Sequence, residues 1–331
     1  MRILVATSSL QNTGGTECYT YALINELKNT GNDVEYFAFQ LGKVSEEIEK
    51  LGVKFRSHIF YDLILANHYN VVDHLYKRGY IIQTCHGIQI STEQPSPKAD
   101  AFVSITNEVS NYLYSKGYPS IIIKNGIDCN RFFPKNPIHK QLTSVLSLCQ
   151  SSEANDIVKK ACSTLGIHFE KANKYEENNW NIEETINQSD LIVGIGRSAY
   201  DAMACGRAVI AFDIRNYSSN FGDGYLDANN IDTSIKYNCS GRATHTVYDV
   251  QKLINELKKY KARDGLFLRN YALSNLNIET VAKKYISLYP KEKKYSIRIK
   301  KIIALFKRDI YWTIKLLLQR IRTAKKVLDV K

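Results

Sequence analysis

A chain of 331 residues, 44% hydrophobic and 24% charged, with 17 Gly and 6 Pro, is too long for one ordinary domain and too apolar to be disordered or collagen-like. Its cysteines (18, 85, 129, 149, 162, 205 and 239) are odd in number and lack any Cys-x-x-Cys, which excludes a disulfide scaffold and makes them reduced residues of apolar stretches. The net charge of +12 raises nucleic-acid binding, but residues 291–331 hold 14 Lys+Arg against 3 Asp+Glu, leaving 31 against 30 on residues 1–290; the excess is local to the C-terminus and nucleic acid is not an expected partner.

Residues 2–7 form a strand-length apolar run and not a signal peptide, and no 18-residue uncharged apolar stretch follows, so a cytoplasmic location is expected. After the loop Gln11–Gly15, apolar residues at Tyr19, Leu23, Ile24 and Leu27 keep helical spacing, giving strand, glycine loop, helix. Apolar runs at 34–39, 63–66, 80–83, 101–105 and 120–123 predict further strands, with helices at 71–77 and 108–116 among them. Past Phe133-Pro134-Lys135-Asn136-Pro137 the rhythm restarts: strands at 144–149, 167–170, 191–193 and 208–212, helices at 156–165, 182–188, 198–205, 247–260 and 278–288. Alternation of this kind implies parallel sheets and an α/β class, with one domain at 1–136, a second at 137–290, and the basic segment 291–331 as a tail.

Two motifs carry chemistry. Gly14-Gly15 at a strand-to-helix turn allows close backbone approach, and the helix start offers unpaired N–H groups to an anion; a plain tight turn reads equally well. The second runs from Gly194-Ile195-Gly196 into Arg197 and Ser198 at the first turn of a helix, a phosphate seat with a guanidinium beside it. Asp201, four residues after Arg197, is placed either to pair with that arginine or to accept hydrogen bonds from ribose hydroxyls. The stretch also satisfies Gly-x-Gly-x-x-Ala with Asp213 nineteen residues on, but two strand–helix units of the second domain precede it, whereas a dinucleotide fingerprint opens its domain.

With these motifs in order, residues 1–290 resemble the GT-B glycosyltransferases of the retaining family 4 type. The residues that carry the resemblance are Gly14-Gly15-Thr16-Glu17, Thr84-Cys85-His86-Gly87, Lys124-Asn125-Gly126-Ile127-Asp128 and Asp201-Ala202-Met203-Ala204-Cys205-Gly206. The resemblance implies two Rossmann-like domains facing a cleft, a nucleoside diphosphate sugar held mainly by the second, and an acceptor held by the first. It puts Gly14, Gly15, Gly194, Gly196, Arg197, Ser198 and Asp201 at the donor and His86 beside the transferred sugar as the catalytic candidate, although a core histidine at a strand end is the plainer reading. The chain departs from the family at Val193, where a glutamate is usual, and at Leu148–Ala154, which lacks the usual Arg and Lys. Asp223-Gly224-Tyr225 and Ser240-Gly241-Arg242 match a subset of such transferases, or are surface turns.

Neither Asp-x-Asp nor a His/Cys cluster of metal-ligand spacing occurs, so no metal or other cofactor is expected. The expected activity is metal-independent sugar transfer to a cell-surface glycan or lipid-linked acceptor, with retention; the alternative is a non-catalytic GT-B-like subunit binding a nucleotide or a partner. In the tail, Ile299, Ile302, Ile303, Phe306, Ile310, Ile314, Leu317, Leu318, Ile321 and Leu328 make an apolar stripe flanked by Lys and Arg, as in a helix lying on an anionic membrane surface or in a terminal helix packed on the protein's own body with a solvated basic face. Peripheral attachment to the inner face of the cell membrane is the matching expectation.

Overall fold

The computed structural model describes residues 1–173, 179–215 and 220–290, with 292, 296, 297, 299–301 and 303 beyond. In β1 (Arg2–Ser9) the five consecutive residues Ile3–Thr7 are buried, as a strand covered on both faces requires. The same unit continues with α1 (Gly15–Asn29), β2 (Asp33–Gln40), α2 (Lys43–Lys50), β3 (Lys54–Phe55), β4 (Leu63–Ala66), α3 (Tyr69–Leu75), β5 (Tyr80–Cys85), β6 (Ala101–Ser104), α4 (Asn107–Ser115) and β7 (Ile121–Ile122). Their sheet is parallel throughout, in the order β3-β2-β1-β4-β5-β6-β7. Strand order reverses beside β1, and at such a point the carboxyl ends of the strands open a crevice.

The second unit repeats the plan with β8 (Ser144–Ser147), α5 (Ser152–Leu165), β9 (His168–Lys171), α6 (Ile182–Asn187), β10 (Leu191–Val193), α7 (Arg197–Ala204) and β11 (Ala208–Phe212). It adds β12 (Phe221–Tyr225), α8 (Ile231–Ile235), β13 (Thr246–Val247), α9 (Val250–Leu257) and α10 (Ala262–Asn275). The sheet order is β13-β12-β11-β10-β8-β9, parallel from β9 to β11 and antiparallel at β12 and β13. Its reversal lies between β8 and β10, and the two crevices face one another.

Asp223-Gly224-Tyr225 is not a surface turn: it belongs to β12, and the Asp223 carboxylate accepts from Ser234 Oγ (2.6 Å), Gly241 N–H (3.2 Å) and Ala243 N–H (3.1 Å). One acidic side chain thus fixes the loop that carries Arg242.

Helix α11 (Ile278–Ser287) follows the second unit in sequence but packs in the first, where Ile278, Val281, Ala282 and Tyr285 join the core of α1 and β1. Tyr285 Oη is 2.7 Å from Thr84 Oγ1. The chain crosses between units at two places pinned together: Ile127 N–H donates to Leu276 O (2.7 Å), and Ile278 N–H to Ile127 O (3.0 Å).

The amphipathic stripe expected within 291–331 lies almost wholly outside the described residues. Lys301 is described and donates to Tyr76 O (2.7 Å) and Asp100 Oδ2 (2.8 Å). Among the described residues no helix is long and apolar enough to cross a membrane, and all seven cysteines are free.

A candidate donor cleft between the two sheets

Two helix N-termini meet in the cleft. Helix α1 starts after Gly14 and α7 after Gly196, and neither cap residue offers a side-chain oxygen to the first-turn N–H groups. A Cβ on Gly15 would stand 3.6 Å from Arg197 Cβ, so the ends are in contact distance. Gly196 has φ +58 and ψ −123, a conformation that strains any other residue. Both dipoles direct their positive ends at one cavity of about 550 Å³, a size that suits a cofactor- or substrate-sized ligand.

On the wall of the second unit, Arg197 donates from Nε to Asp201 Oδ1 (2.8 Å) and from Nη1 to Gly126 O (2.9 Å), with its guanidinium 5.8 Å from the Phe132 ring centre. Of the two readings left open for Asp201, this is the ion pair. Burial lifts the Asp201 carboxyl to about 6, although Arg197 pulls it down. Ser198 lines the cavity; Gly194 does not, and serves instead to let the first turn of α7 approach, since a Cβ there would lie 2.9 Å from Ser198 Cβ. Asp213, the candidate dinucleotide carboxylate, is buried and engaged by Gln150 N–H (3.1 Å), Ile214 N–H (2.8 Å) and Arg215 (2.6 Å). Gln150 Oε1 and Ser240 Oγ also belong to cavity residues, and among the described residues both atoms are buried without a hydrogen-bond partner.

The wall of the first unit is built from strand ends. His86, just past β5, donates from Nε2 to Asn67 Oδ1 (3.1 Å), because the Asn67 amide nitrogen is given to Thr20 Oγ1 (2.9 Å), whose hydroxyl goes to Thr16 O (2.7 Å). His68, just past β4, accepts Ser8 N–H at Nδ1 (3.1 Å), which assigns its proton to Nε2. Burial holds both rings neutral, His86 down to about 3 and His68 to about 4. Glu93 also lines the cavity; burial, with Glu17 nearby, lifts its carboxyl to about 7.

One contact closes the cleft from the side. Arg242 reaches from the Asp223-pinned loop to α4 of the other unit and grips Glu108 with Nε (3.0 Å) and Nη2 (2.6 Å). Of the residues expected at the site, Gly14, Gly15, Gly196, Arg197, Ser198, Asp201 and His86 are brought together and Gly194 lies behind them. Sequence reasoning did not place Glu93, Gln150 or Ser240, whose significance lies in the burial the fold gives them at the cavity, a property no motif carries. Among the described residues no group of three or more His, Cys, Asp or Glu could hold a metal ion.

Neither a protein-family model nor a curated protein matches the chain by sequence. Solved structures match it in shape. Alr3699/HepE of Anabaena, in complex with UDP and glucose, aligns at a TM-score of 0.60 and 12% identity over 87% of this chain and 99% of that one. The catalytic domain of starch synthase IV from Arabidopsis thaliana, bound to ADP and acarbose, aligns at 0.53 and 11% identity over 88% and 99%. The likeness is one of fold: the chain has the two-sheet GT-B architecture of glycosyltransferases.

Proposed function

We propose that the protein transfers a glycosyl unit from a nucleoside diphosphate sugar to a glycan or lipid-linked acceptor. The observation that carries this reading is the meeting of two helix N-termini whose cap residues are glycines, with Arg197 between them, in a cavity on the crevice side of both sheets. In that position a diphosphate accepts the first-turn N–H groups of α1 and α7. The dipoles and the guanidinium are already oriented when the sugar–phosphate bond breaks and charge grows on the departing oxygen, so little reorganisation opposes the reaction. Arg197 keeps Nε on Asp201 and meets the phosphate with its remaining N–H groups. Gln150 Oε1 and Ser240 Oγ are left to take hydroxyls of the donor. Attack on the face from which the diphosphate leaves, with that diphosphate taking the acceptor proton, retains the anomeric configuration and needs no metal ion.

The test is turnover of UDP-, ADP-, GDP-, CDP- and TDP-sugars, read as nucleoside diphosphate release with and without EDTA. Release from one donor, unchanged by EDTA, supports the reading. Nucleotide binding without release favours the second reading, a non-catalytic nucleotide-binding subunit, whose supporting observation is that the position of the usual sugar-binding glutamate is Val193, fully buried in β10. Arg197→Ala should weaken UDP binding by roughly 1.5–3 kcal/mol, the scale of a charged hydrogen bond, and unchanged calorimetric affinity would remove Arg197 from the donor seat. The membrane role of segment 291–331 is part of the proposal. Flotation on anionic liposomes should be strong for the full chain and weak for a version ending at Pro290, and equal flotation would refute it.

A further inference from the structure

Among the described residues, the arginines that line the cavity are each matched to an acid: Arg131 to Glu183, Arg197 to Asp201, Arg215 to Asp213 and Arg242 to Glu108. Glu93 is the reverse case. It is 93% buried, since only 7% of it is exposed, it lines the cavity, and its carboxyl meets no donor among the described residues. The carboxyl therefore faces the cavity, where water or a ligand must supply its hydrogen bonds.

The segment that presents it is braced. Gln94 donates to Ile88 O (3.2 Å) and Ile90 O (3.1 Å) and accepts from Tyr112 Oη (2.5 Å), while Gln83 donates to Gln94 O (2.8 Å) and accepts Ser96 N–H (2.7 Å). Gly87 leaves the space the carboxyl occupies, for a Cβ there would stand 2.6 Å from Glu93 Oε2. A carboxyl held this firmly against the cavity, on the unit opposite α7, is preorganised for a ligand that donates hydrogen bonds.

We propose that Glu93 is a specificity residue for the acceptor, taking hydrogen bonds from the hydroxyl or ammonium groups of an incoming sugar. The proposal rests on the glycosyltransferase reading. Among the described residues, the titratable group that acts on Glu93 is Glu17 from α1, with no lysine or arginine to offset it, and Glu93 in turn helps burial push the Cys85 thiol at the end of β5 up to about 12. Glu93 therefore ionises near neutrality, and its hold on a donor group strengthens as pH rises from 6 to 8.

The experiment uses the full chain saturated with UDP, or with whichever of ADP, GDP, CDP and TDP it binds if UDP does not bind, and measures binding of methyl glycosides of glucose, galactose, mannose and glucosamine by saturation-transfer NMR at pH 6 and 8. In the wild-type protein at least one glycoside should bind and bind more tightly at pH 8; a neutral sugar identifies a hydroxyl as donor, glucosamine by itself an ammonium. Glu93→Gln should weaken that glycoside tenfold or more and abolish the pH effect, with nucleotide affinity within twofold of wild type as the check on folding. If a nucleotide binds and no glycoside does, or if Glu93→Gln binds glycosides like wild type, the role of Glu93 is overturned and the donor reading stands. If wild-type protein binds none of UDP, ADP, GDP, CDP and TDP, the glycosyltransferase reading falls and this proposal with it.

Discussion

The two walls of the cleft handle charge in opposite ways. On the second unit, the arginines that line the cavity already have carboxylates, as in Arg197 with Asp201 and Arg215 with Asp213. On the first, His68 and His86 are kept neutral and Glu93 has no counterion among the described residues. An anion arriving at the first-named wall redistributes existing bonds, whereas a ligand at the other supplies a bond that is missing. One cavity thus presents a surface tuned for exchange beside a surface tuned for capture.

The difference can be attacked through pH first. The histidines have folded values depressed below 6.5, so the stability they confer is present above that value and is lost as pH falls toward 4 and 3. Replacing both by Gln should therefore leave the protein about 6 kcal/mol better placed relative to wild type at pH 4 than at pH 8, by urea denaturation. A parallel pair of profiles would show that the rings titrate freely.

Breaking a pair on the other wall comes next. Asp201→Ala leaves the Arg197 cation in place with the Gly126 carbonyl and the Phe132 ring but without its counterion, and should cost about 3 kcal/mol at pH 8. Arg197→Ala should cost less, because Asp201, already at about 6, can take a proton. Equal losses in denaturation would contradict this asymmetry. Glu93 has a raised folded value, so the stability of its neutral form is present at low pH and lost as pH rises through about 7. Glu93→Gln should be roughly 3 kcal/mol more stable than wild type at pH 8, with the gain vanishing toward pH 4. The smallest effect belongs to Arg242→Ala, about 0.5–1 kcal/mol, since its pair with Glu108 is partly solvated.

Strands were the legible part of the sequence, because a doubly covered strand must be a continuous apolar run: 63–66 and 191–193 coincide with β4 and β10. Helix α2 was missed because it buries only Val44, Ser45 and Ile48, too few positions for a period. Helix α10 was missed for the opposite reason, with Leu266 and Leu273 exposed around a buried Leu268 and a glycine at 265. In β12 the glycines read as a turn. They are small because Tyr248 lies over them, a Cβ at Gly222 falling 2.8 Å from its ring. At the site, glycine turns and the Arg197–Asp201 spacing were visible from local sequence. Glu93 was not, since Ser91-Thr92-Glu93-Gln94 differs in no local way from a solvated loop, and only the fold buries it.

The return of α11 to the first sheet has a consequence for biogenesis. Until Ile278, Val281, Ala282 and Tyr285 leave the ribosome, the earliest-made sheet has an open apolar trough where that helix belongs. The second unit, continuous from β8 to α10, has its own strands and helices in hand before then. The half translated first is therefore the half that finishes folding last, and during synthesis its uncovered face is the surface that a chaperone would meet.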